Sequence, residues 1–286
     1  MLPKILVCLD SDAQPSVFDG VVAVDAGVDQ LFRYAGVKPE QVRDLVYGAI
    51  FTRGPKELNH TAVFVGGSDV AIGEKLLAEV TSSFFGPMRV SVMLDSNGAN
   101  TTAAAAVLAA RKHVELRGAV VAVLAATGPV GRRIVRLLAR EGARVRVGSR
   151  KLAQAEQACQ EIGAAVADAE LTPVEARDDA SVRAAVDGAQ VLFTAGPPKV
   201  ELVSTNVLSA TNSLAVAVDL NAVPPLGIGG IEVHDKGAER NGLLAYGAIG
   251  VGGTKMKIHK AALKQLFERN DLVLDAEAIY EIGKSL

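Results

Sequence analysis

Apolar runs along this chain alternate with segments in which apolar residues recur at helical spacing. Short runs rich in Val, Ile and Leu occupy residues 5–9, 61–65, 90–94 and 120–124, and a polar or glycine-bearing turn follows each of them. Helical spacing follows the second run, over residues 70–80. Strands that alternate with helices are typical of an α/β fold with a parallel sheet.

The same patterns predict further strands and helices. Strands are expected at 143–148, 164–167, 190–195, 214–219 and 243–249. The Ala-rich segment 101–112 predicts a helix, for which Asn100 or Thr101 is a suitable N-cap. Two more helices are expected from about Lys257 and Asp275.

Proline and glycine mark two segments as irregular. Residues 221–230 (NAVPPLGIGG) predict a long loop at the carboxyl end of a strand, which is where open α/β sheets bind ligands. The glycines of 250–253 predict a turn. We expect a first α/β domain over 1–105 and a second over 106–255, with the chain crossing between them along the helix at 101–112.

The segment from Val120 to Gly131 predicts a dinucleotide site. Its sequence, VVAVLAATGPVG, places an apolar run before a glycine-bearing turn, and helical spacing follows. A strand, a tight turn and a helix N-terminus in this order present backbone N–H groups to a pyrophosphate. The motif reads A-x-G-x-x-G, because Ala126 stands where the first glycine is usual, and an alanine resists positive φ. Cofactor contacts are expected from Thr127, Gly128, Pro129, Val130 and Gly131.

The end of the next predicted strand indicates which dinucleotide binds. NAD-binding folds usually carry a carboxylate about 20 residues past the glycine turn, where it holds the ribose 2′-hydroxyl. That place here holds Ser149, Arg150 and Lys151, a hydroxyl and two cations that suit a 2′-phosphate. The sequence thus predicts NADP as the cofactor and leaves NAD open as a second one. The expected cofactor contacts also include Ala195, Gly196 and Asn221.

Composition narrows the class of protein. Of 286 residues, 49% are hydrophobic and 22% are charged, which is enough apolar material for a packed core. The net charge is −2 and no basic stripe stands out, so no nucleic-acid partner is expected. Cys8 and Cys159 form no CxxC pair, and no apolar run is as long as a membrane span. We expect a reduced, cytoplasmic protein without a membrane partner.

Several catalytic classes lack their usual residues in this chain. The G-x-S-x-G pattern is absent, and no carboxylate cluster has metal-ligand spacing, so no metal is expected. No two histidines form an HxH or HxxxH pair, and surface or core positions are expected for all four. They are His60, His113, His234 and His259.

Polar residues follow the apolar runs of the first half of the chain. They form the segments 10–12, 52–53, 66–69 and 95–100. If the strands are parallel, these loops gather at one edge of the sheet and line a cleft. Ordinary caps and turns are the alternative explanation, because Asp and Asn cap helices for structural reasons alone.

Several segments together resemble one known family. They are 95–104, 127–131, 149–152, 221–231 and 250–259, with shorter matches at Asp12, 15–19 and 52–54. This set is similar to the NAD(P)-dependent methylene-tetrahydromethanopterin dehydrogenases of bacterial one-carbon metabolism. The resemblance spans nearly the whole chain, and the PPLGIGG loop is its most specific part.

The resemblance implies both an architecture and a reaction. It implies an α/β pterin-binding domain over 1–105, on which part of 256–286 packs back, and a Rossmann-type NADP-binding domain with a parallel sheet over 106–255. The active site is then expected between the two domains, in a homo-oligomer for which a trimer is expected. The implied reaction is reversible hydride transfer from the methylene carbon of methylene-tetrahydromethanopterin to NADP, which gives methenyl-tetrahydromethanopterin.

This reaction is compatible with the absence of an acid or a base. The cation left by hydride loss is stabilised by the substrate's own nitrogens, so no proton moves at the reacting carbon and no catalytic residue is strictly required. Residues expected to position the substrate are Asn97, Thr102, Lys255 and Lys257. Candidates for pterin binding are Asp10, Asp12, Phe18, Asn97, Asn100, Thr102, Lys255 and Lys257.

Three alternatives stay open at this stage. A methylene-tetrahydrofolate dehydrogenase with cyclohydrolase activity needs a lysine in the first domain, where Lys56 and Lys75 are the mid-domain candidates. A shikimate-type NADP dehydrogenase needs a lysine paired with a carboxylate, and no such pair is evident. A non-catalytic NADPH-binding sensor would keep Arg150 but has no need of the polar loops in the first half.

Overall fold

The computed structural model describes residues 2–286 and contains twelve strands and ten α-helices in that range. The strands are β1 (Ile5–Leu9), β2 (Gln30–Tyr34), β3 (Thr61–Val65), β4 (Ser91–Leu94), β5 (Val120–Leu124), β6 (Arg144–Ser149), β7 (Glu170–Glu175), β8 (Val191–Thr194), β9 (Val216–Asp219), β10 (Lys236–Arg240), β11 (Leu243–Tyr246) and β12 (Val273–Leu274). The helices are α1 (Val17–Asp25), α2 (Val42–Ile50), α3 (Val70–Ser82), α4 (Ala99–Arg111), α5 (Pro129–Arg140), α6 (Leu152–Ala165), α7 (Asp179–Val186), α8 (Thr205–Ser209), α9 (Ala248–Gln265) and α10 (Ala276–Lys284). Short 3₁₀ turns lie at Pro39–Gln41, Leu58–His60 and Ser96–Gly98.

The chain divides into two compact units. The first unit runs to Thr101 and takes in Met256–Leu286, and the second unit is Thr102–Lys255. The crossings therefore fall within α4 and within α9. The α/β class expected from the sequence is confirmed by the two sheets of this structure.

The first unit is built on a five-stranded parallel sheet in the order β12-β4-β3-β1-β2. Every residue of β3 is buried, as expected for a central strand of a parallel sheet with both faces covered. One face packs against α2 and α3, where Val46, Ile50, Leu76 and Val80 join the sheet residues in a single apolar cluster. The carboxyl ends of β1, β3 and β4 share one edge of this sheet.

The second unit contains a seven-stranded sheet in the order β10-β11-β9-β8-β5-β6-β7, in which only β10 is antiparallel to its neighbour. The strand order reverses between β5 and β8, which is the topology of a doubly wound, Rossmann-type sheet. On one face, residues of α7 and α8 such as Val186 and Val207 cluster with Leu124 and Leu192 of the sheet. The reversal leaves a crevice at the carboxyl ends of β5 and β8.

The sequence analysis placed one strand wrongly and missed another. The strand expected at 164–167 is absent, since α6 continues to Ala165 and the strand follows at Glu170–Glu175. Pro173 obscures the strand pattern, and the structure tolerates it because β7 is an edge strand. The edge strand β2 also escaped the sequence analysis.

The caps and turns expected around α4 and α9 also differ from the structure. Helix α4 begins at Ala99, so Asn100 and Thr101 lie inside its first turn and do not cap it. The glycines of 250–253 form no turn, because α9 begins at Ala248 and continues through them. A Cβ atom on Gly250 would overlap the carbonyl of Asp235, so close packing of backbone explains one of these glycines.

None of the helices within residues 2–286 combines the length and the apolarity that crossing a membrane requires.

Candidate functional site

The turn between β5 and α5 stands at the crevice of the second sheet. Gly128 is the N-cap of α5 and Pro129 takes the first helical position, where its missing N–H costs nothing. Thr127 and Val130 are half-buried beside them. The first N–H groups of α5 have no partners within the helix, which makes this helix start suited to an anion such as a pyrophosphate.

The positive φ of this turn falls one residue earlier than the motif suggested. Ala125 has φ 54°, whereas Ala126 is buried and has an ordinary φ. Gly131 is required for packing, because a Cβ there would lie 2.7 Å from the Ala125 carbonyl oxygen and from the Ala126 Cα. At Gly128 a Cβ would be 3.7 Å from its nearest neighbour, so that residue leaves open space in front of the helix.

The end of β6 presents two exposed cations. Ser149 ends the strand, is 5% exposed, and accepts a 3.4 Å hydrogen bond from the Lys151 N–H. The side chains of Arg150 and Lys151 are exposed, and across residues 2–286 no ion pair engages either of them. A guanidinium without a protein carboxylate beside it is suited to an external anion.

The carboxyl ends of β8 and β9 carry a buried polar network. Thr194, the last residue of β8, donates a 2.8 Å hydrogen bond to Asp219, the last residue of β9. Asp219 is fully buried, and this burial raises the pKa of its carboxyl, although hydrogen bonds from Thr194 and from nearby backbone N–H groups act in the opposite direction. Sequence reasoning missed both residues, although each closes a strand beside a predicted loop.

Asn221 uses its side chain within the loop that it begins. Its amide nitrogen donates to the Pro225 carbonyl at 3.0 Å, and its amide oxygen accepts from the Val223 N–H at 3.0 Å. One N–H donor and one lone pair of this amide are therefore used within the loop, and the second of each remains for the expected contact with the cofactor. Ala195 and Gly196, just after β8, are half-buried at the same edge.

Two aspartates shape the loop after β1 in the first unit. Asp10 is buried and accepts hydrogen bonds from the backbone N–H groups of Asp12 and Ser16, at 2.8 and 3.0 Å. Asp12 accepts from both the N–H and the hydroxyl of Ser68, at 3.0 and 2.8 Å. The loops after β1 and β3 are thereby joined at the carboxyl edge of the sheet, as expected for parallel strands.

The loop after β4 contributes both buried and exposed groups. Asp95 is buried and accepts from the Thr101 N–H at 3.0 Å and from its hydroxyl at 2.7 Å. Asn100 is buried as well, and its amide donates to the Leu94 carbonyl at 2.6 Å. Asn97 is exposed, with φ 53°, and no hydrogen bond among the described residues uses its side-chain amide. Thr102 is half-buried in the first turns of α4.

Helix α9 places His259 against the carboxyl ends of β3 and β4. The His259 ring is fully buried, lies stacked on Phe64 with ring centroids 5.8 Å apart, and has its Nδ1 3.8 Å from the Asp95 carboxylate. The half-exposed ring of Phe18 lies 6.3 Å from the same imidazole. His259 is thus a core histidine, in line with the interpretation made from the sequence.

The two lysines of α9 differ in their surroundings. Lys255 is half-buried and lies one helical turn before His259, on the same face of the helix. Lys257 is exposed and points in another direction, because two residues along a helix turn the side chain by about 200°.

One predicted polar segment does not join this edge. Arg53 donates to the carbonyls of His60 and Pro3, at 2.7 and 3.1 Å, and to the Thr61 hydroxyl at 3.0 Å. Thr61 begins β3, and Pro3 precedes β1, so Arg53 lies at the amino ends of the strands. Thr52 and Arg53 are therefore at the opposite edge of the sheet, and their expected place in the cleft is wrong.

Family comparison gives each unit a separate match. Residues 17–97 match the family described as "Methylene-tetrahydromethanopterin dehydrogenase, N-terminal". Residues 118–218 match the family described as "NmrA-like family".

Solved structures of similar fold include nicotinamide-dependent dehydrogenases. Quinate dehydrogenase from Corynebacterium glutamicum in complex with NAD has a TM-score of 0.54 and 13% identity, with 99% of each chain covered. Shikimate 5-dehydrogenase from Listeria monocytogenes in complex with shikimate and NAD has a TM-score of 0.53 and 13% identity, with 98% of this chain and 96% of that chain covered. At this identity the likeness concerns the fold alone.

Curated relatives match along the whole chain. "Bifunctional protein MdtA" of Methylorubrum extorquens is 47% identical over 288 residues and covers 100% of both chains. "NAD(P)-dependent methylenetetrahydromethanopterin dehydrogenase" of the same organism is 31% identical over 301 residues, with 99% of this chain and 98% of the relative covered. The chain therefore belongs to the family of NAD(P)-dependent methylene-tetrahydromethanopterin dehydrogenases.

Proposed function

We propose that this protein oxidises methylene-tetrahydromethanopterin to methenyl-tetrahydromethanopterin, reversibly, with NADP as the hydride acceptor. The family supplies the substrate and the cofactor class, since the 31% identical relative is named as NAD(P)-dependent and as acting on this pterin. The observation that carries the choice of NADP over NAD is the exposed Arg150 at the end of β6, which no protein carboxylate neutralises within residues 2–286.

The second unit fits a dinucleotide at three places. The N-terminus of α5, with Gly128 as its N-cap, would hold the pyrophosphate. Arg150 would bind the 2′-phosphate through charge-assisted hydrogen bonds, with Ser149 and Lys151 beside it. The edge formed by Ala195, Gly196 and the loop 221–230 is left for the nicotinamide half. Bound there, NADP supplies carbon 4 of its nicotinamide ring as the hydride acceptor.

The chain's own residues need only position the substrate and exclude water. The substrate's two nitrogens share the positive charge left after hydride loss, so no side chain has to accept a proton at the reacting carbon. Holding the two reacting carbons in line is then the main source of rate, because orientation alone lowers a barrier by about 7–11 kcal/mol in well-aligned reactions.

The residues proposed for direct contact with the pterin have exposed or half-buried side chains. Asn97 has an exposed amide that can form hydrogen bonds with the ring N–H and carbonyl groups of a pterin. Phe18 offers a half-exposed ring for stacking, and Lys255 offers a half-buried ammonium. Thr102 and Lys257 complete this set.

Three further pterin candidates form hydrogen bonds that fix loops of the first unit. The carboxylates of Asp10 and Asp12 hold the loops after β1 and β3, and Asn100 holds the end of β4. We propose that these three shape the substrate loops, and that Asn97 and Lys255 make the direct contacts.

Assembly into a homo-oligomer, with a trimer as the expected form, belongs to the same proposal. Its physical support is the edge strand β2, where Phe32 and Tyr34 are 47% and 41% exposed in a single chain. An exposed edge strand with aromatic side chains is a surface that proteins usually cover. We also propose that the protein works in the cytoplasm, in one-carbon metabolism.

A four-way assay tests the proposal. Purified protein is mixed with methylene-tetrahydromethanopterin or methylene-tetrahydrofolate, each with NADP or NAD, and formation of reduced nicotinamide is followed by absorbance. We expect the highest kcat/KM with the methanopterin and NADP. Higher kcat/KM with the folate would favour the folate-type alternative, and NADPH binding without turnover of either pterin would favour a sensor.

A further inference from the structure

The carboxylate of Asp219 takes no part in the chemistry above, yet it is fully buried at the cofactor edge of the second sheet. It accepts hydrogen bonds from one side-chain donor and two backbone donors. Thr194 donates its hydroxyl at 2.8 Å, and the N–H groups of Asn221 and Ile228 donate at 3.0 and 3.1 Å. A buried carboxylate needs its hydrogen bonds, so it holds in place the chain segments that carry the donors.

These contacts hold both ends of one loop. Asn221 begins the loop 221–230, and Ile228 lies near its end, so a single carboxylate joins the two. Gly227 passes so close to the network that a Cβ there would lie 2.6 Å from the Asp219 Oδ1 and 2.9 Å from the Thr194 Oγ1. The loop is therefore folded around Asp219 and has no room for a side chain at Gly227.

The position of this loop in the sheet indicates which half of the cofactor would bind beside it. A doubly wound sheet consists of two mononucleotide-binding halves, and the first half, β5 to β7, carries the pyrophosphate turn and Arg150. The loop 221–230 follows β9 of the second half, whose carboxyl edge is left for the nicotinamide mononucleotide.

We propose that Asp219 is a positioning residue for hydride transfer, which keeps the loop 221–230 in the shape that receives the nicotinamide half of the cofactor. The inference rests on the proposed function. Asp219 acts through the loop and touches neither reactant. Small displacements at a reacting centre are costly, and a shift of about 1 Å can lower a rate by about a hundredfold.

Two variants and two probes test this inference. Asp219→Asn removes the charge, and Thr194→Val removes one donor while it keeps the size of the side chain. Each variant is titrated with NADPH, which spans both halves, and with 2′,5′-ADP, which carries only the adenosine half and the 2′-phosphate. We expect the Kd for NADPH to rise about tenfold or more in Asp219→Asn, as for loss of a hydrogen bond to a charged group, while the Kd for 2′,5′-ADP stays within about twofold. The kcat at saturating NADP should fall as well.

Matched controls separate positioning from general damage. Thr211→Val also removes a threonine hydroxyl, which donates to the Val207 carbonyl at 2.9 Å near the amino end of β9, and it should change neither Kd. Gly227→Ala should reproduce the effect of Asp219→Asn, whereas Gly163→Ala, in α6 with open space around it, should not.

The outcomes are distinguishable. Equal losses for NADPH and 2′,5′-ADP, or unchanged NADPH binding and kcat in Thr194→Val and Asp219→Asn, would overturn the positioning role while the proposed function stands. Unaltered protein that binds neither probe and turns over neither pterin would overturn the proposed function, and this inference with it.

Discussion

The proposed preference for NADP over NAD depends on Arg150. Replacing it by alanine should weaken NADP binding by about 1.5–3 kcal/mol, the usual range for hydrogen bonds to charged groups, because the 2′-phosphate loses its main cation. NAD carries no 2′-phosphate, so its Kd should change little. Titration of the protein with NADPH and with NADH measures both values.

Arg144 provides the control for this prediction. It begins the same strand, β6, and donates to the Gly118 carbonyl at the other end of the sheet. Arg144→Ala should therefore leave the ratio of the two Kd values unchanged. If Arg150→Ala weakens NADPH and NADH binding equally, Arg150 does not contact the 2′-phosphate.

Bare hydride transfer predicts that no histidine is needed for the chemical step. Replacing His60, His113 or His234 by glutamine should leave kcat within about tenfold, a barrier change below about 1.4 kcal/mol. The kcat should also show no steep ionisation between about pH 5 and 8, where a histidine would titrate. A bell-shaped profile that one of these substitutions abolishes would establish an acid–base step and contradict the mechanism.

At the scale of elements, an ion pair holds the turn before β10. Burial would raise the pKa of Asp235, but hydrogen bonds from Arg240 and from the Glu232 N–H, with the charge of Arg240, outweigh it and hold the pKa below its usual range. A carboxyl with a lowered pKa stabilises the folded state above its unfolded pKa of about 3.9, and this contribution is lost as the pH falls through the folded value.

The test is urea unfolding of Asp235→Asn between about pH 3 and 7. The variant should be less stable than the parent at pH 7, and the difference should shrink as the pH falls below about 4. Asp187→Asn, which alters an exposed carboxylate, should show no such trend. A stability difference that is constant with pH would mean that the charge of Asp235 is not what stabilises the turn.

Two helix glycines should respond in opposite ways to alanine. Gly163→Ala should raise the free energy of unfolding by about 0.5–1 kcal/mol, because the site in α6 is open and alanine is the better helix former. Gly250→Ala, in α9, should lower the free energy of unfolding, because the new Cβ would overlap the carbonyl of Asp235. Thermal or urea unfolding measures both, and a stabilising Gly250→Ala would contradict the close packing described for this helix.

The sequence predicts some of these elements well and others poorly. Runs such as 5–9 and 61–65 predict strands with their observed bounds, because both are largely buried on two faces and consist mainly of β-branched and aliphatic residues. The glycines of α9 misled the prediction, since Gly250 is explained by a close approach of the Asp235 backbone, and no local pattern indicates that contact. Asp219 was missed for the same reason, because its partners lie in another strand and in a later loop.

At the scale of the whole molecule, we expect a trimer in solution. Light scattering coupled to size exclusion should give the mass of three chains. Phe32→Lys, which places a charge on the exposed edge strand β2, should shift the protein towards smaller species, whereas Leu152→Lys, at an exposed position of α6, should not. A monomer at micromolar concentration would remove the oligomer from the proposal.

The sequence also predicted more about the second unit than about the first. Its strand, glycine turn and Arg150 follow one another along the chain, so local order alone indicates a dinucleotide. The loops of the first unit meet only through the sheet, and no local pattern distinguishes Asn97, which is exposed, from Asn100, which is buried. Nor did any local pattern place Arg53 at the far edge.

The division of the chain has a consequence for its synthesis. The second unit is continuous, whereas the first consists of the segment to Thr101 and the last 31 residues, Met256–Leu286. On the ribosome, β1 to β4 emerge first, but β12 pairs with β4, and the Arg269 carbonyl accepts the Ser91 hydroxyl, only after nearly all of the chain is made. The β4 edge thus stays uncovered while the second unit is translated, and an unpaired edge strand is prone to wrong pairing. We therefore expect nascent chains to need protection at β4 until β12 has left the exit tunnel.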